Sequence, residues 1–490
     1  MHGTATAQEV ILPRRRPADV GVPASSVLAL LDGLDAEGIE LHSLMVVRHG
    51  QVAAEGWWSP YGPERPHLLY SLSKSFTSAA VGFAIAEGRF RLDDTVVSLL
   101  PGHVPDDLDP AVATLTVHHV LSMSTGHNAD TLEQAFTLEP DDLVKGFLGV
   151  PPQEPVGSRH VYNNTCTYVL AMLVQELTGE YLLDYLRPRL LSPLGIGPAH
   201  WDNDAHGNAV GFSGLHLATE AVAAFGQLLL QCGHWQGRQV LPEGWVELAT
   251  RKHIPNDLDP ATNVDWAQGY GYQFWMARHG FRGDGAYSQL CVVLPDEDLV
   301  VVTTGCSEKL QGVLDNIWTH LLPALDTFAS AEDESADELD TRLAALALPV
   351  VEGALVGPAD EMSFDVQEGG EQAPLAPGTI VEVRAAGVEG WELTIVTGDS
   401  RLTLACGHTS WAESALGTAA GPSRGPRGTE PREPTPVVVR GGWTTADTFE
   451  GDIVLIETPH RIRFSCKGAR AEATWNAVPL SGARLEAHLP

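Results

Sequence analysis

The residues best suited to chemistry in this 490-residue chain are Ser71 and Lys74, which form a Ser-x-x-Lys pair. A serine hydroxyl is a weak nucleophile at neutral pH and needs a nearby base to take its proton. Positions three apart share a helix face, so the apolar run at 76–85 predicts a helix that holds Lys74 beside the Ser71 oxygen. In the first turn, backbone N–H groups and the helix dipole would also favour negative charge. The alternative is an ordinary capped helix start.

A second candidate pair, Tyr162 and Asn164, immediately precedes another predicted helix, from Thr165 to Leu177. A nearby ammonium group favours the phenolate, so we expect Lys74 to lower the pKa of Tyr162. Tyr162 would then accept the serine proton and later activate water, while Lys74 and Asn164 hold the network. The alternative is a half-buried tyrosine at a helix start.

A third candidate segment, Gly283-Asp284-Gly285-Ala286, lies just before a predicted strand, Leu290–Val293. Two glycines at this point would let a substrate approach the edge of the sheet closely. The N–H group of Ala286, together with that of Ser71, would then form an oxyanion hole for a tetrahedral intermediate. The alternative is a plain glycine turn that enters a hairpin.

In this order, the three segments resemble the serine β-lactamase and penicillin-binding-protein-like family. The most similar branch is the class C β-lactamase-related esterases and peptidases, which carry Tyr-x-Asn where class A enzymes carry Ser-Asp-Asn. The resemblance covers roughly residues 20–325. It implies that Ser71 is the acylated nucleophile, that Lys74 and Tyr162 share the base role, and that Asn164 positions the substrate. It also implies that no metal or organic cofactor is needed.

The third segment departs from the family pattern. Relatives that bind penicillin-like carboxylates usually carry Lys-Thr-Gly or His-x-Gly on this strand, where this chain has Gly283-Asp284-Gly285. A substrate carboxylate would lose a charge-assisted hydrogen bond there, and Asp284 would repel it unless Arg282 turns inward. We therefore expect a small ester or amide to be hydrolysed ahead of penicillins and cephalosporins. Asp284, Gly285 and Ala286 would contact that substrate together with Asn164.

Two other functions are compatible with these segments. One is a D-amino-acid-directed peptidase or a linear amide hydrolase of the same fold. The other is a catalytically silent homologue that binds a ligand and contacts a partner through its C-terminal part. The presence of Ser71, Lys74 and Tyr162 together argues against a silent homologue, because a binding module does not need all three.

The elements that must position these residues come from both ends of the first 325 residues. A predicted helix at 25–38 and two short strands, at 44–47 and 52–54, come first. A hairpin at 290–302 and a helix that includes Leu314 and Leu321 come last, with helical segments between. This layout predicts an α/β (α+β) fold, in which one antiparallel sheet is flanked by helices and carries an inserted helical subdomain. The cleft between the two is the natural position for a site.

The pattern changes to short β runs beyond residue 346. These runs include Thr379–Val383, Trp391–Val396, Ile453–Ile456 and Arg461–Phe464. They predict a C-terminal all-β domain, either a sandwich or a barrel. The expected organisation is a β-lactamase-like serine hydrolase domain at 1–325, an acidic linker at 326–345 and a β-rich accessory domain at 346–490.

Composition narrows the partners. Charged residues make up 19% of the chain and give a formal net charge of −33, which repels nucleic acid and anionic membranes. In the first 25 residues, Arg14-Arg15-Arg16 is not followed by the apolar run that a signal peptide needs, and no stretch of the chain approaches the length of a membrane span. The six cysteines include no C-x-x-C pair, which is typical of reduced thiols in the cytoplasm, and the histidines have no metal-ligand spacing. We expect the protein to bind a small-molecule ester or amide substrate. We expect no metal, and neither nucleic acid nor membrane as a partner.

Overall fold

The computed structural model describes residues 11–256, 258–325, 335–354, 361–387, 390–417 and 434–488. The chain divides into two compact units. The first contains Met1–Gly56 and Leu68–Ala344, and the second contains Trp57–His67 and Ala345–Pro490. Residues 326–334 of the expected linker lie outside the described residues. The domain boundaries expected at 325 and 346 stay predictions.

The first unit is mainly helical around one sheet. Its helices are α1 (Ala24–Ala36), α2 (Ser73–Ala86), α3 (Val96–Leu99), α4 (Val117–Leu121), α5 (Leu132–Leu138), α6 (Leu143–Leu148), α7 (Asn164–Thr178), α8 (Leu182–Leu186), α9 (Thr219–Leu230), α10 (Trp245–Ala249), α11 (Leu310–Asn316) and α12 (Ala336–Ala344). Its strands are β1 (Leu41–Arg48), β2 (Gln51–Trp57), β3 (His67–Leu68), β4 (His200–Trp201), β5 (Leu215–Leu217), β6 (His234–Trp235), β7 (Arg238–Gln239), β8 (Trp275–Met276), β9 (Phe281–Gly285), β10 (Gln289–Leu294) and β11 (Leu299–Gly305).

The central sheet has six strands in the order β2-β1-β11-β10-β9-β8. The pairs β1–β11, β11–β10, β10–β9 and β9–β8 are antiparallel. Strands from both ends of the unit therefore meet in the middle of the sheet, and the helices α2–α10 are inserted between β2 and β8. This arrangement confirms the predicted α+β class and the predicted insertion.

Helices cover the sheet by close packing. Helix α9 contacts β1, β10 and β11, and an added Cβ at Gly226 would lie 2.6 Å from a Val300 methyl group, so only glycine fits there. Helix α1 packs against α11 and the turn that follows it. The apolar residues that predict α1, among them Val27, Leu30 and Leu34, are all buried.

Helix α2 runs through the interior of the first unit. Every residue from Ser73 to Ala84 is buried, including four hydroxyl-bearing residues and Lys74. It packs against α7, and Gly82 lets the ring of Trp245 lie directly on its backbone. A helix enclosed on all sides holds its side chains at fixed positions, which suits residues that must meet with accurate geometry.

The second unit contains a nine-stranded sheet. Its strands are β12 (Met362–Asp365), β13 (Ile380–Ala385), β14 (Gly390–Thr397), β15 (Ser400–Gly407), β16 (Ala412–Leu416), β17 (Thr435–Trp443), β18 (Thr448–Val454), β19 (Arg461–Lys467) and β20 (Arg470–Trp475). Consecutive strands mostly pair antiparallel, and a bridge between Gly407 of β15 and Arg440 of β17 closes the sheet into a barrel-like shape. The predicted C-terminal all-β domain is confirmed.

The interior of this barrel is apolar. Buried side chains from several strands meet around Phe449, whose ring lies 5.1 Å from that of Trp391 and 5.3 Å from that of Trp443. Within the described part of the chain, no helix combines the length and the apolar character that crossing a membrane requires.

Candidate active site

Ser71 lies in a short 3-10 turn, Tyr70–Leu72, that continues directly into α2. The turn approaches the end of β9 so closely that an added Cβ at Gly285 would lie 2.2 Å from the Leu69 carbonyl oxygen. Tyr70, just before the serine, has a positive φ of 46°, which is unusual for a residue with a side chain. The glycine and the strained turn together bring Ser71 to the edge of the central sheet.

Lys74 points at Ser71, as the spacing predicts. Its Nζ atom lies 2.9 Å from Ser71 Oγ, 2.7 Å from Asn164 Oδ1 and 2.9 Å from the Phe212 carbonyl oxygen. Only 2% of Lys74 is exposed. Burial lowers the pKa of its amine to about 7, and the negative charges of Asp130 and Asp284 oppose that decrease.

The Phe212 carbonyl reaches Lys74 because α2 itself anchors the segment that carries it. The hydroxyl of Thr77 donates to the Gly211 carbonyl at 2.9 Å, and the Leu215 N–H donates to the Ser73 hydroxyl at 3.1 Å. These two bonds fix the loop on both sides of Phe212. Sequence reasoning misses this contact because a backbone carbonyl carries no signal in residue type.

Asn164 begins α7, and its side chain is held from two sides. Its Nδ2 group donates to Asp130 Oδ2 at 2.6 Å, and its backbone N–H donates to Asp130 Oδ1 at 3.1 Å. Its Oδ1 atom is thereby left to face Lys74. Asp130 is absent from the sequence-based site, although an acidic residue just before an apolar helical run is a recognisable helix-start signal.

Tyr162 lies against the same lysine. Lys74 Nζ is 4.8 Å from the centre of the Tyr162 ring, and the ring stacks on Trp275 at 5.5 Å. The Ser71 hydroxyl lies close enough to the Tyr162 phenol to act on its pKa, which it lowers. The expectation of a lowered pKa is wrong: burial and the charges of Asp284 and Asp130 raise the pKa of Tyr162 well above its usual range.

Strand β9 has two different faces at the site. Gly283 and Gly285 face the Ser71 turn, and an added Cβ at Gly283 would lie 2.4 Å from a methyl group of Leu72. No side chain therefore fits at Gly283 without displacing α2. The Lys or His that the family resemblance associates with this position is absent from this chain, and the helix packs directly on the strand.

Asp284 and Arg282 form a buried ion pair on β9. Arg282 Nε donates to Asp284 Oδ2 at 3.1 Å, and the guanidinium group lies over the ring of Trp266. Arg282 is 0% exposed and Asp284 9%. Burial raises the pKa of Asp284 and the guanidinium group opposes that rise. Arg282 thus turns toward Asp284 inside the protein.

Ala286 follows β9 at the point nearest the nucleophile. An added Cβ at the preceding Gly285 would lie 3.1 Å from the Ser71 backbone nitrogen, so the two chain segments touch there. Tyr287 and Ser288 both have positive φ and turn the chain back into β10. Ala286 is half-buried and directly follows Gly285, the residue that approaches the Ser71 backbone nitrogen.

A cavity of about 600 Å³ borders this network. It shares two residues with the network, Asp130 and Phe212. The rest of its lining is apolar and acidic: Leu132, Glu133, Phe136, Pro140, Asp141, Leu143, Tyr168, Asp204, Ala205, His206 and Val210. Phe136 is 58% exposed, which is high for a phenylalanine and places an apolar ring at the cavity wall.

The structure thus brings Ser71 and Lys74 together with Tyr162 and Asn164, which come from a distant part of the sequence. Asp284 lies close enough to Lys74 and Tyr162 to change the pKa values of both. A serine beside a buried amine with a lowered pKa can act as a nucleophile toward a carbonyl carbon. The site therefore has the parts that acyl transfer requires.

Comparison with known proteins identifies the family of this chain. A family model described as "Beta-lactamase" matches residues 29–309. The 6-aminohexanoate-dimer hydrolase of Paenarthrobacter ureafaciens is 26% identical over 316 residues, which cover 59% of this chain and 80% of that protein. Penicillin-binding protein 4 of Amycolatopsis lactamdurans is 31% identical over 137 residues, which cover 26% of this chain and 33% of that protein.

Solved structures share the fold at low sequence identity. One is the "Putative 6-aminohexanoate-dimer hydrolase from Bacillus anthracis", with a TM-score of 0.51 and 20% identity. The alignment covers 67% of this chain and 88% of that one. The family model takes in more than half of the present chain, and its span contains every residue of the Lys74 network. The chain belongs to the Beta-lactamase family.

Proposed function

We propose that this protein is a class C-related serine hydrolase that forms and then hydrolyses an acyl-enzyme at Ser71. The observation that carries the proposal is the set of contacts around Lys74. Among the described hydrogen-bond partners of the Lys74 amine, Asn164 Oδ1 and the Phe212 carbonyl oxygen can only accept hydrogen bonds. A neutral amine has two N–H bonds, and these two acceptors use both. Its lone pair then faces the Ser71 hydroxyl, which is the arrangement of a general base.

Acylation follows from this geometry. As Ser71 Oγ attacks the carbonyl carbon of an ester or amide, its proton moves to the Lys74 amine. We assign stabilisation of the oxyanion of the tetrahedral intermediate to two backbone amides, that of Ser71 in the turn before α2 and that of Ala286 just after β9. Tyr162 stays a neutral phenol beside Ser71, because its pKa is raised, and we assign it as the proton donor to the leaving atom. Its proton leaves with the alcohol or amine, and the Lys74 proton replaces it.

Deacylation reverses these roles. A water molecule takes the place of the departed alcohol or amine, and neutral Lys74 accepts its proton directly or through Tyr162. The hydroxide equivalent attacks the acyl carbon, and Ser71 leaves with a proton returned by the ammonium group. Each half-reaction thus ends with Lys74 neutral and Ser71 protonated, as it began.

The surroundings support a neutral or cationic substrate over a carboxylate. Asp130 and Asp284 act on the Lys74 amine beside Ser71, and the lining of the neighbouring cavity adds further acidic residues. Arg282 is buried against Asp284 and cannot reach a substrate. Penicillins and cephalosporins carry a carboxylate, so we propose that small esters and amides are hydrolysed ahead of them.

A second candidate is a linear amide hydrolase, and the cavity favours it. Its volume of about 600 Å³ exceeds what a short acyl group fills, and its apolar residues would bury a flexible chain attached to the scissile bond. The name of the Paenarthrobacter relative describes a hydrolase of a linear amide of this kind. A chain-length series of amides would distinguish this candidate from a short-chain esterase.

Covalent labelling tests the shared mechanism. A serine-reactive phosphonate should add one label to the intact protein, and peptide mapping should place it on Ser71. Ser71→Ala should abolish both labelling and ester hydrolysis, whereas Ser98→Ala, at an exposed serine, should change neither. The labelling rate should rise with pH and level off above about 7, because only neutral Lys74 can take the proton. A label on another residue would contradict the assignment.

Substrate charge is tested separately. We expect kcat/KM for a p-nitrophenyl ester to exceed that for a chromogenic cephalosporin. Asp284→Asn should narrow that difference by about tenfold, because one negative charge is lost beside the reacting group. Asp296→Asn, in the turn between β10 and β11, is the matched control. A wild type that prefers the cephalosporin would reject the proposed substrate class and leave the acyl-enzyme mechanism standing.

A further inference from the structure

We propose that Asp130 is a positioning residue: it fixes the orientation of the Asn164 side-chain amide and thereby directs the Lys74 lone pair at Ser71. Asp130 touches neither Ser71 nor Lys74 in the described contacts, so it acts through Asn164. The inference rests on the proposed role of Lys74 as the base, and its test below has a readout that does not depend on activity.

The two ends of the Asn164 side-chain amide have different hydrogen-bonding roles. One end, Oδ1, accepts and the other, Nδ2, donates, so a half-turn of the amide exchanges an acceptor for a donor. Asp130 is an acceptor at both oxygens, and the 2.6 Å contact with Nδ2 fixes that end on the carboxylate. Oδ1 must then face Lys74, at 2.7 Å.

A half-turn of the Asn164 amide would change what the Lys74 amine can do. With Nδ2 facing the lysine, a neutral amine would accept the Asn164 hydrogen and spend its lone pair on it. Its own N–H groups would remain for the Phe212 carbonyl and for Ser71. Ser71 would then accept a hydrogen bond and keep its proton. Asp130 therefore determines whether Lys74 is a base toward Ser71 or only a hydrogen-bond donor.

Asp130 also acts on Lys74 through its negative charge. The groups that act on the Lys74 amine are Asp130 on the segment before α5, Asp284 on β9 and Cys166 on α7. The Tyr162 ring lies 4.8 Å away and the Phe212 ring 5.6 Å. Asp130 and Asp284 both favour the ammonium form against burial. Removing the Asp130 charge should therefore lower the pKa of Lys74, in the same direction as a turned amide would.

Asp130→Asn separates this role from a structural one. Asp130 Oδ1 also accepts the Leu132 N–H at the start of α5, and an asparagine Oδ1 can keep that bond and the bond to the Asn164 N–H. Its Nδ2 group would then meet Asn164 Nδ2, donor against donor. The Asn164 amide must turn to relieve this clash, while the backbone contacts of the segment remain.

The measurement is a ¹³C NMR titration of lysine Cε atoms in the full chain. The sequence has only five lysines: Lys74, Lys145, Lys252, Lys309 and Lys467. The Lys74 signal is assigned by its loss in Lys74→Arg. In the wild type it should titrate near 7. Asp130→Asn should lower that midpoint by roughly half a unit to one unit, and Asp130→Glu, which keeps the charge, should restore most of it.

The matched control is Asp184→Asn, which removes an exposed carboxylate on α8 and should leave the Lys74 midpoint in place. In the same variants, kcat/KM should fall by at least about tenfold in Asp130→Asn, with its acid limb at lower pH. A Lys74 midpoint that is unchanged or raised in Asp130→Asn overturns the inference. If Lys74 shifts as expected but the wild type forms no Ser71 adduct, the proposed function fails and the positioning role stands.

Discussion

The interior of the barrel in the second unit and the surroundings of Ser71 in the first unit bury opposite kinds of side chain. The barrel of the second unit encloses apolar rings and aliphatic side chains around Phe449. The first unit keeps Lys74, Arg282 and Asp284 out of water beside Ser71. Burial without charge lowers the free energy of the fold, whereas each desolvated charge raises it. The polar interior is therefore the one that needs a functional explanation, and its shifted pKa values agree with that interpretation.

The largest effect should come from breaking the polar interior at its proton-handling pair. Lys74→Ala and Tyr162→Phe should each lower kcat/KM by several orders of magnitude, because both act on the Ser71 proton. The double variant should be hardly slower than the worse single one, since groups that act as a unit are strongly non-additive. Steady-state kinetics on one ester gives all four rates. Additive losses would show that the two residues do not share a step.

A smaller effect should appear in stability, as a dependence on pH. Lys74 has a pKa of about 7 in the folded protein and an ordinary value of 10.5. Below pH 7 both states carry the proton and the folded state bears the whole burial penalty. Between pH 7 and 10.5 the unfolded state binds more protons, so stability rises with pH.

Lys74→Met removes this dependence. Relative to the wild type, the free energy of unfolding of Lys74→Met should fall by about 4 kcal/mol between pH 6 and pH 10. Denaturant titrations of both proteins at the two pH values would measure it, with Lys309→Met, at an exposed lysine, as control. Equal changes at both pH values would mean that Lys74 titrates normally.

The smallest effect on the reaction at Ser71 should come from breaking the apolar interior. Phe449→Ala leaves a void between two tryptophan rings and should destabilise the barrel by about 3–5 kcal/mol at any pH. Hydrogen exchange should quicken in β14, β17 and β18, while the rate of Ser71 labelling stays as in the wild type. Thr445→Ala, at an exposed position, is the control. A slower Ser71 reaction would remove the contrast between the two interiors.

Much of the candidate site could be predicted from residue spacing. A separation of three in a helix places Lys74 beside Ser71, and the observed 2.9 Å contact agrees with that. Alternation and turns predicted the sheet and the β-rich C-terminal part. These features depend on local geometry or on simple periodicity, which the chain carries in short segments.

The rest depends on contacts between distant segments. The Phe212 carbonyl reaches Lys74 only because Thr77 and Ser73 anchor its loop. The pKa of Tyr162 is raised, not lowered as expected, because the effect of burial outweighs that of the nearby amine. Neither the enclosure of a ring nor the path of a loop can be obtained from motif spacing. Side chains that supply no chemistry of their own decide both.

The alternation of β9 has a consequence for how this scaffold can change its substrates. The positions of Gly283 and Gly285 are closed to variation, because any side chain there would push the Ser71 turn away from the sheet. Arg282 and Asp284 alternate with these glycines and form an ion pair, and Asp284 also acts on the pKa values of Lys74 and Tyr162. New specificity can therefore arise by changing these two residues as a couple, for instance into an apolar pair, without moving the nucleophile. Along this strand, only every second position can change without displacing Ser71.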